Sequence, residues 1–195
     1  MDHHDTIHLK FLEQLLIQLH IDYSSSEDAF NQLFVWPYLD IIAKMISVDG
    51  CNSDFVQGQP YLESMSRQLK AVNLYVNDRS QHKSDGLIKL FGLNKLDLLL
   101  FEASGCFSSK DEEKIKLDHH KGVYGSLVML KCIASDYAYA FLNIFILVKI
   151  FFLQAADAEL HLWSVCFQKQ TVFDLWREAN IKVKPDFQCI CKKKN

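Results

Sequence analysis

Two apolar runs, Asp85–Phe91 (DGLIKLF) and Leu96–Ser104 (LDLLLFEAS), separated by Gly92-Leu93-Asn94-Lys95, constrain the fold more than any other feature of this chain. Runs of this length, rich in Leu, Ile and Phe and joined by a Gly/Asn turn, predict a β-hairpin. Centring the turn on Leu93/Asn94 sets Asp85 opposite Glu102. Like charges directly opposite on a sheet repel, and both strands are apolar enough to be buried. Two carboxylates held there call for a shared proton or a cation. The two-residue period of a strand puts Ser104 on the same face as Glu102. The alternative is plainer: Asp85 opens a strand beside a turn and Glu102 closes one at solvent, the common fate of acidic side chains.

Around the hairpin the patterning alternates between helix and strand. Asp5–His20 carries Ile7, Phe11, Leu12, Leu15, Leu16 and Leu19 at helical spacing. Ser24-Ser25-Ser26-Glu27 fits a capping box with Ser24 as N-cap and Glu27 at N3. Phe30, Leu33, Phe34, Ile41, Ile42 and Met45 continue a helical face, with Pro37 as a kink or break. Val48–Gln59 reads as loop, and Tyr61–Val76 is ambiguous between helix and strand. Gly105–Lys116 reads as a surface loop and Leu117–Phe145 as a helix. Val148–Leu153 and Leu160–Phe167 read as strands around a turn at Ala155–Glu159, and Thr171–Glu178 as a strand or short helix. This order predicts an α/β domain with a mixed sheet and helices packed on it.

Composition excludes several classes. With 49% hydrophobic residues, 23% charged and a net charge of -3, the chain is neither disordered nor collagen-like. A single domain over 1–195 is expected, with residues 1–22 as an N-terminal helix and 186–195 as a flexible basic tail ending Lys192-Lys193-Lys194. Only three arginines occur (Arg67, Arg79, Arg177), so a basic stripe for gripping nucleic acid is absent from the sequence pattern. MDHHDTIHLK has no apolar signal core, and the run Tyr137–Ala156 is broken by Asn143, Lys149 and Gln154. No signal peptide and no transmembrane segment are expected, and the protein is placed inside the cell, in nucleus or cytoplasm, with reduced thiols. The apolar run reads as the end of a buried helix entering a buried strand. Cys189-Ile-Cys191 lacks a second pair of ligands for zinc. His119 and His120 are adjacent on a helix, so their rings diverge by about 100° and cannot share one ion; they read as an exposed helix start.

The residues Lys83-Ser84-Asp85-Gly86, the sixteen positions between Asp85 and Glu102, and Glu102-Ala103-Ser104 resemble the PD-(D/E)XK nuclease motif. From about Tyr23 to Lys184 the chain is similar to fungal members of that superfamily, which share an S-E-x-x-F helix start (here Ser26–Phe30) and E-x-S in place of E-x-K. The resemblance implies a restriction-endonuclease-like three-layer αβα sandwich with a central mixed sheet. It further implies Mg²⁺ or Mn²⁺ held by Asp85, Glu102 and the Ala103 carbonyl, with Glu27 on the first core helix orienting water and a helix following the motif. DNA or RNA would be the partner.

Ser84 replaces the motif proline, and Ser104 replaces the motif lysine. A serine is neutral and cannot act as a positive point charge. Either the lysine has moved, with Lys121 or Lys149 as replacement, or cleavage is weak or lost. Two functions therefore stand. One is a degenerate nuclease-like domain associated with nucleic acid, with Glu27, Asp85, Glu102, Ser104 and Lys121 as its site. The other is a non-catalytic protein-interaction module on the same fold, its protein partner unknown.

Overall fold

A computed structural model describes residues 25–46, 51–77, 81–92, 95–169 and 172–183. Six strands, β1 (Ser53–Gln57), β2 (Gly86–Leu90), β3 (Leu96–Ala103), β4 (Lys149–Ala156), β5 (Glu159–Lys169) and β6 (Val172–Lys182), form one sheet in sequence order. Neighbours are antiparallel except β3 and β4, which run parallel. The class is thus α/β with a mixed sheet. The hairpin is β2–β3, with Gly86 opposite Phe101, Leu87 opposite Leu100 and Ile88 opposite Leu99. A bulge then shifts the register so that Lys89 faces Asp97, leaving Leu98 as the extra residue. It lies toward the turn, so the last pair before the open end, Gly86 with Phe101, keeps the register centred on Leu93/Asn94.

Helices cover both faces. On one side lie α1 (Glu27–Phe30), a π-helical turn (Asn31–Val35) and α2 (Trp36–Ile46), which continue one another. Pro37 does not break this run. It has no N–H to bond back along the helix, and the π-turn immediately before it takes up the mismatch. Phe30, Val35, Leu39 and Ala43 from this layer pack on Phe55, Ile88 and Phe101. On the other side α3 (Glu63–Ala71) and α4 (Glu112–Asp136) bring Leu62, Met65, Val128 and Met129 onto Leu87, Leu100, Ile150 and Val165. Consecutive residues of β2 and β3 enter opposite cores, as the pleat requires.

Helix α4 is the crossover that makes β3 and β4 parallel, and it lies very close to the sheet. A Cβ added at Gly122 would stand 2.1 Å from the Phe152 ring, and one at Gly125 would stand 2.7 Å from Leu100. Glycine at both positions allows this approach.

Several expectations are corrected. The N-cap of α1 is Ser26, whose Oγ accepts from the Ala29 N–H at 3.0 Å, so Glu27 is the first helical residue and not the reciprocal partner of Ser24. Val48–Gln59 is not all loop: Ser53–Gln57 forms β1, an edge strand with only Phe55 buried, too little alternation to read. Helix α4 starts at Glu112, five residues before the expected Leu117. Asp111 caps it by accepting from the Lys114 N–H at 3.0 Å, and Glu112 and Glu113 favour its positive end. It stops at Asp136. Residues 137–147 form turns and a short helix, α5 (Leu142–Phe145), with Tyr139, Phe141, Leu142 and Leu147 exposed rather than buried. Among the described residues no helix is long and apolar enough to cross a membrane. The expected helix at Asp5–His20, the capping Ser24, the Cys189/Cys191 pair and the basic tail lie outside the described residues.

Candidate functional site

The site sits where the open end of the hairpin meets the first turns of α4. Residues 81–84 run beside 60–62: the Leu62 N–H donates to the His82 carbonyl at 3.1 Å and the Ser84 N–H to the Pro60 carbonyl at 3.1 Å. The chain then enters Asp85, whose N–H donates to the Phe101 carbonyl at 3.0 Å and whose own carbonyl accepts from the Trp36 indole N–H at 3.1 Å. Gly86 follows because the Phe55 ring leaves no room, 2.6 Å from where a Cβ would stand.

Asp85 Oδ2 accepts from the Ala103 N–H at 2.7 Å, which ties its side chain across to β3. Burial, opposed by that hydrogen bond and by Lys114 but reinforced by Glu102 and Glu27, pushes the Asp85 carboxyl up to about 7. Glu102, only 2% exposed, is likewise pushed up by burial. His82 Nε2 lies 3.0 Å from its Oε1 and counters that rise. The charge of Glu102 thus adds to the rise of the Asp85 carboxyl.

Helix α4 supplies the opposing charge. Lys114 Nζ lies 2.8 Å from Glu27 Oε2, donates to the Ala103 carbonyl at 2.9 Å and stands 3.3 Å from Asp118 Oδ2. Lys121 Nζ lies 2.6 Å from Asp118 Oδ1 and is within electrostatic reach of both Glu102 and Asp85. Burial lowers the basicity of each lysine, but the carboxylates around them outweigh it and leave both raised.

Of the expected site residues, Glu27, Asp85, Glu102 and Lys121 are brought together. Ala103 lies between them, its carbonyl engaged by Lys114. Ser104 is fully buried on the Glu102 face, where its Oγ accepts from Gln154 Nε2 at 3.1 Å. It stands where the expected motif would have lysine, in a position closed to solvent. Lys149 is elsewhere, at the protein surface against Glu178 at 2.6 Å. Asp118 and His119 do not open a helix: Asp118 is 1% exposed, in the second turn of α4.

Four participants were missed: His82, Lys114, Asp118 and Gln154. The spacing Lys114, Asp118, Lys121 (i, i+4, i+7) is a one-face helical signature that was readable once the helix start was placed correctly. His82 gives no local signal.

Among the described residues no three His, Cys, Asp or Glu side chains converge to hold a metal ion. The donors available to a divalent ion are the Asp85 and Glu102 carboxylates and the Ala103 carbonyl, whose second lone pair Lys114 leaves open. This all-oxygen set suits a hard cation. Four carboxylates (Glu27, Asp85, Glu102, Asp118) face two ammonium groups and His82, and burial favours a proton on Asp85 and Glu102. No family model, no curated protein and no solved structure matches the chain.

Proposed function

We propose that the protein is a PD-(D/E)XK-like, metal-dependent phosphodiesterase acting on nucleic acid, built on a restriction-endonuclease-like frame. The observation that carries this reading is the pair Asp85, half-buried, and Glu102, buried, at the open end of the hairpin, with Glu102 adding to the rise of the Asp85 carboxyl and two lysines of α4 within reach. Leaving two carboxylates in an apolar wall is costly unless something neutralises them. The helix that follows the motif, the Glu27 helix before it and helices on both sheet faces support the frame.

Asp85, Glu102 and the Ala103 carbonyl would hold Mg²⁺ or Mn²⁺, which supplies positive charge to a phosphodiester oxygen and makes water a better nucleophile near neutral pH. The chain's own residues do the remaining work. Lys121, and Lys114 beside it, restore the positive charge that Ser104 lacks, placed to meet the negative charge that grows on the phosphoryl group. Glu27, oriented by Lys114, accepts the proton of the attacking water. Hydrolysis joins water oxygen to phosphorus, breaks one bridging P–O bond and delivers a proton to the departing oxygen.

The test is cleavage of single- and double-stranded DNA and RNA with Mg²⁺ or Mn²⁺ by the wild type and by Asp85→Asn and Glu102→Gln. Metal-dependent cutting that disappears in both folded variants is expected. Equal cutting by all three overturns the proposal.

One observation favours a second reading, the non-catalytic protein-interaction module. Tyr139, Phe141, Leu142 and Leu147 stand exposed together between α4 and β4, and clustered exposed apolar side chains commonly mark contact surfaces. Serine at all four positions would leave cleavage intact under the first reading.

A further inference from the structure

On the far side of Gln154 from Ser104 lies a second feature that the motif does not include. Helix α4 and the strands β5 and β6 enclose a cleft of about 240 Å³. Lys116, His119 and His120 come from the helix, His161 and Trp163 from β5, and Arg177 from β6. The Arg177 guanidinium covers the Trp163 ring at 5.6 Å, as their direct cross-strand pairing allows. The His119 ring meets the same indole edge-on at 4.9 Å.

The cleft wall is mostly apolar, and donors outnumber acceptors among its polar side chains. Among the described residues, Trp163 Nε1 and His161 Nδ1 are buried without a hydrogen-bond partner. An indole N–H can only donate, and leaving it unmet costs free energy that a bound acceptor would recover. Arg177 makes no ion pair among the described residues. Lys116 pairs with Glu112 at 3.3 Å, in the open. The carboxylate nearest His161, Glu159 at 3.9 Å, is already held by Asn180 at 2.9 Å and Lys182 at 3.9 Å. The Arg177 guanidinium and the unmet indole N–H at one place fit an oxyanion.

The cleft is also coupled to the acidic centre. Gln154 donates from Nε2 to Ser104 Oγ at 3.1 Å and to the Ile115 carbonyl at 2.8 Å, and its Oε1 lies 3.3 Å from His119 Nδ1. A single amide thus separates the strand carrying Glu102 from the histidine at the cleft wall.

We propose that this cleft is a phosphate subsite, which holds a phosphate of a nucleic-acid strand next to the one presented to Asp85 and Glu102. Arg177 and Trp163 are its principal contacts. The inference rests on the phosphodiesterase reading for the choice of strand, but binding can be measured with no metal present and no chemistry.

The experiment uses the full chain in EDTA and a fluorescein-labelled single-stranded oligonucleotide of six thymidines, with anisotropy as readout and thermal melting to confirm folding. Arg177→Met and Trp163→Phe, which keeps the ring and removes the N–H, should each weaken binding at least tenfold. Arg177→Met should also reduce the slope of log K against log salt by roughly one. Unchanged affinity in both cleft variants overturns the proposal. So does competition by inorganic phosphate at the concentration of the oligonucleotide's own phosphates, which would mark a site for a free anion. Cleft-dependent binding by a wild type that never cuts would sink the phosphodiesterase reading and leave the subsite standing.

Discussion

Asp85→Asn should make the protein more stable in the absence of metal, by an amount that grows with pH. The folded state holds the Asp85 proton up to about pH 7, against an ordinary 3.8. Between those values unfolding releases a proton, so raising the pH favours the unfolded chain. At 1.36 kcal/mol per pKa unit the full displacement corresponds to roughly 4 kcal/mol above pH 7, falling to about 1.7 at pH 5 and about 0.5 near pH 4. Asparagine keeps an oxygen for the Ala103 N–H and never ionises, so it escapes this loss. It also removes one source of repulsion from Glu102. Urea titrations of both proteins in EDTA at pH 5 and pH 8 should therefore show the variant ahead at both, with the gap widening by roughly 2.5 kcal/mol at the higher pH. Adding Mg²⁺ should then stabilise the wild type alone. A gap that is constant with pH, or a variant that is less stable throughout, would show that Asp85 is not held in an unneutralised site.

Because ligation needs the deprotonated carboxylate, Mn²⁺ affinity measured by calorimetry should be roughly tenfold weaker at pH 6 than at pH 8, following an Asp85 carboxyl that titrates at about 7; a pH-independent affinity would remove Asp85 as a ligand. Ser104→Lys, which restores the motif lysine on paper, should lower stability by about 3–5 kcal/mol without raising activity, since it would bury an unpaired ammonium in a fully enclosed position. Denaturant unfolding beside a cleavage assay checks both halves. Gly122→Ala should lower the melting temperature by about 4 °C or more, because the added methyl meets the buried Phe152 ring and overpacking outweighs the gain in helix propensity.

The hairpin was legible because its signal is local: two apolar runs, a Gly/Asn turn, and a period of two that fixes which side chains face each other. The register at the open end followed from that alone. The bulge at Leu98 did not, since nothing local marks an extra residue in an unbroken apolar run. The start of α4 was misread for a physical reason. Asp111-Glu112-Glu113-Lys114 is polar because the first turn of a helix favours acidic groups and this turn faces solvent, and polarity alone resembles a loop. A helix starting at Leu117 leaves Lys114 in a loop, and the place of Lys149 in the sequence of β4 says nothing about its position at the outer end of the strand. His82 reaches Glu102 only through the pairing of residues 60–62 with 82–84, a contact between segments that carry no pattern of their own.

Asp118 connects these observations and can be tested directly. Its buried carboxylate lies one helical turn from each of two lysines, 3.3 Å from Lys114 Nζ and 2.6 Å from Lys121 Nζ. It thereby draws both ammonium groups from the helix flank toward the hairpin. Each lysine keeps over a third of its side chain exposed, so without Asp118 each can swing into water at small cost. Asp118→Asn should therefore cost about 1–2 kcal/mol of stability but lower cleavage by one to two orders of magnitude, the usual effect of removing a group that orients a side chain at the reacting centre. A purely structural role would give the same stability loss with no coupling to the lysines. The cycle of Asp118→Asn with Lys121→Met separates the two cases. If Asp118 acts by aiming Lys121, the double variant is scarcely slower than Lys121→Met alone. If the two losses multiply, Asp118 is only a buried anchor and the helix does not supply the charge that Ser104 withholds.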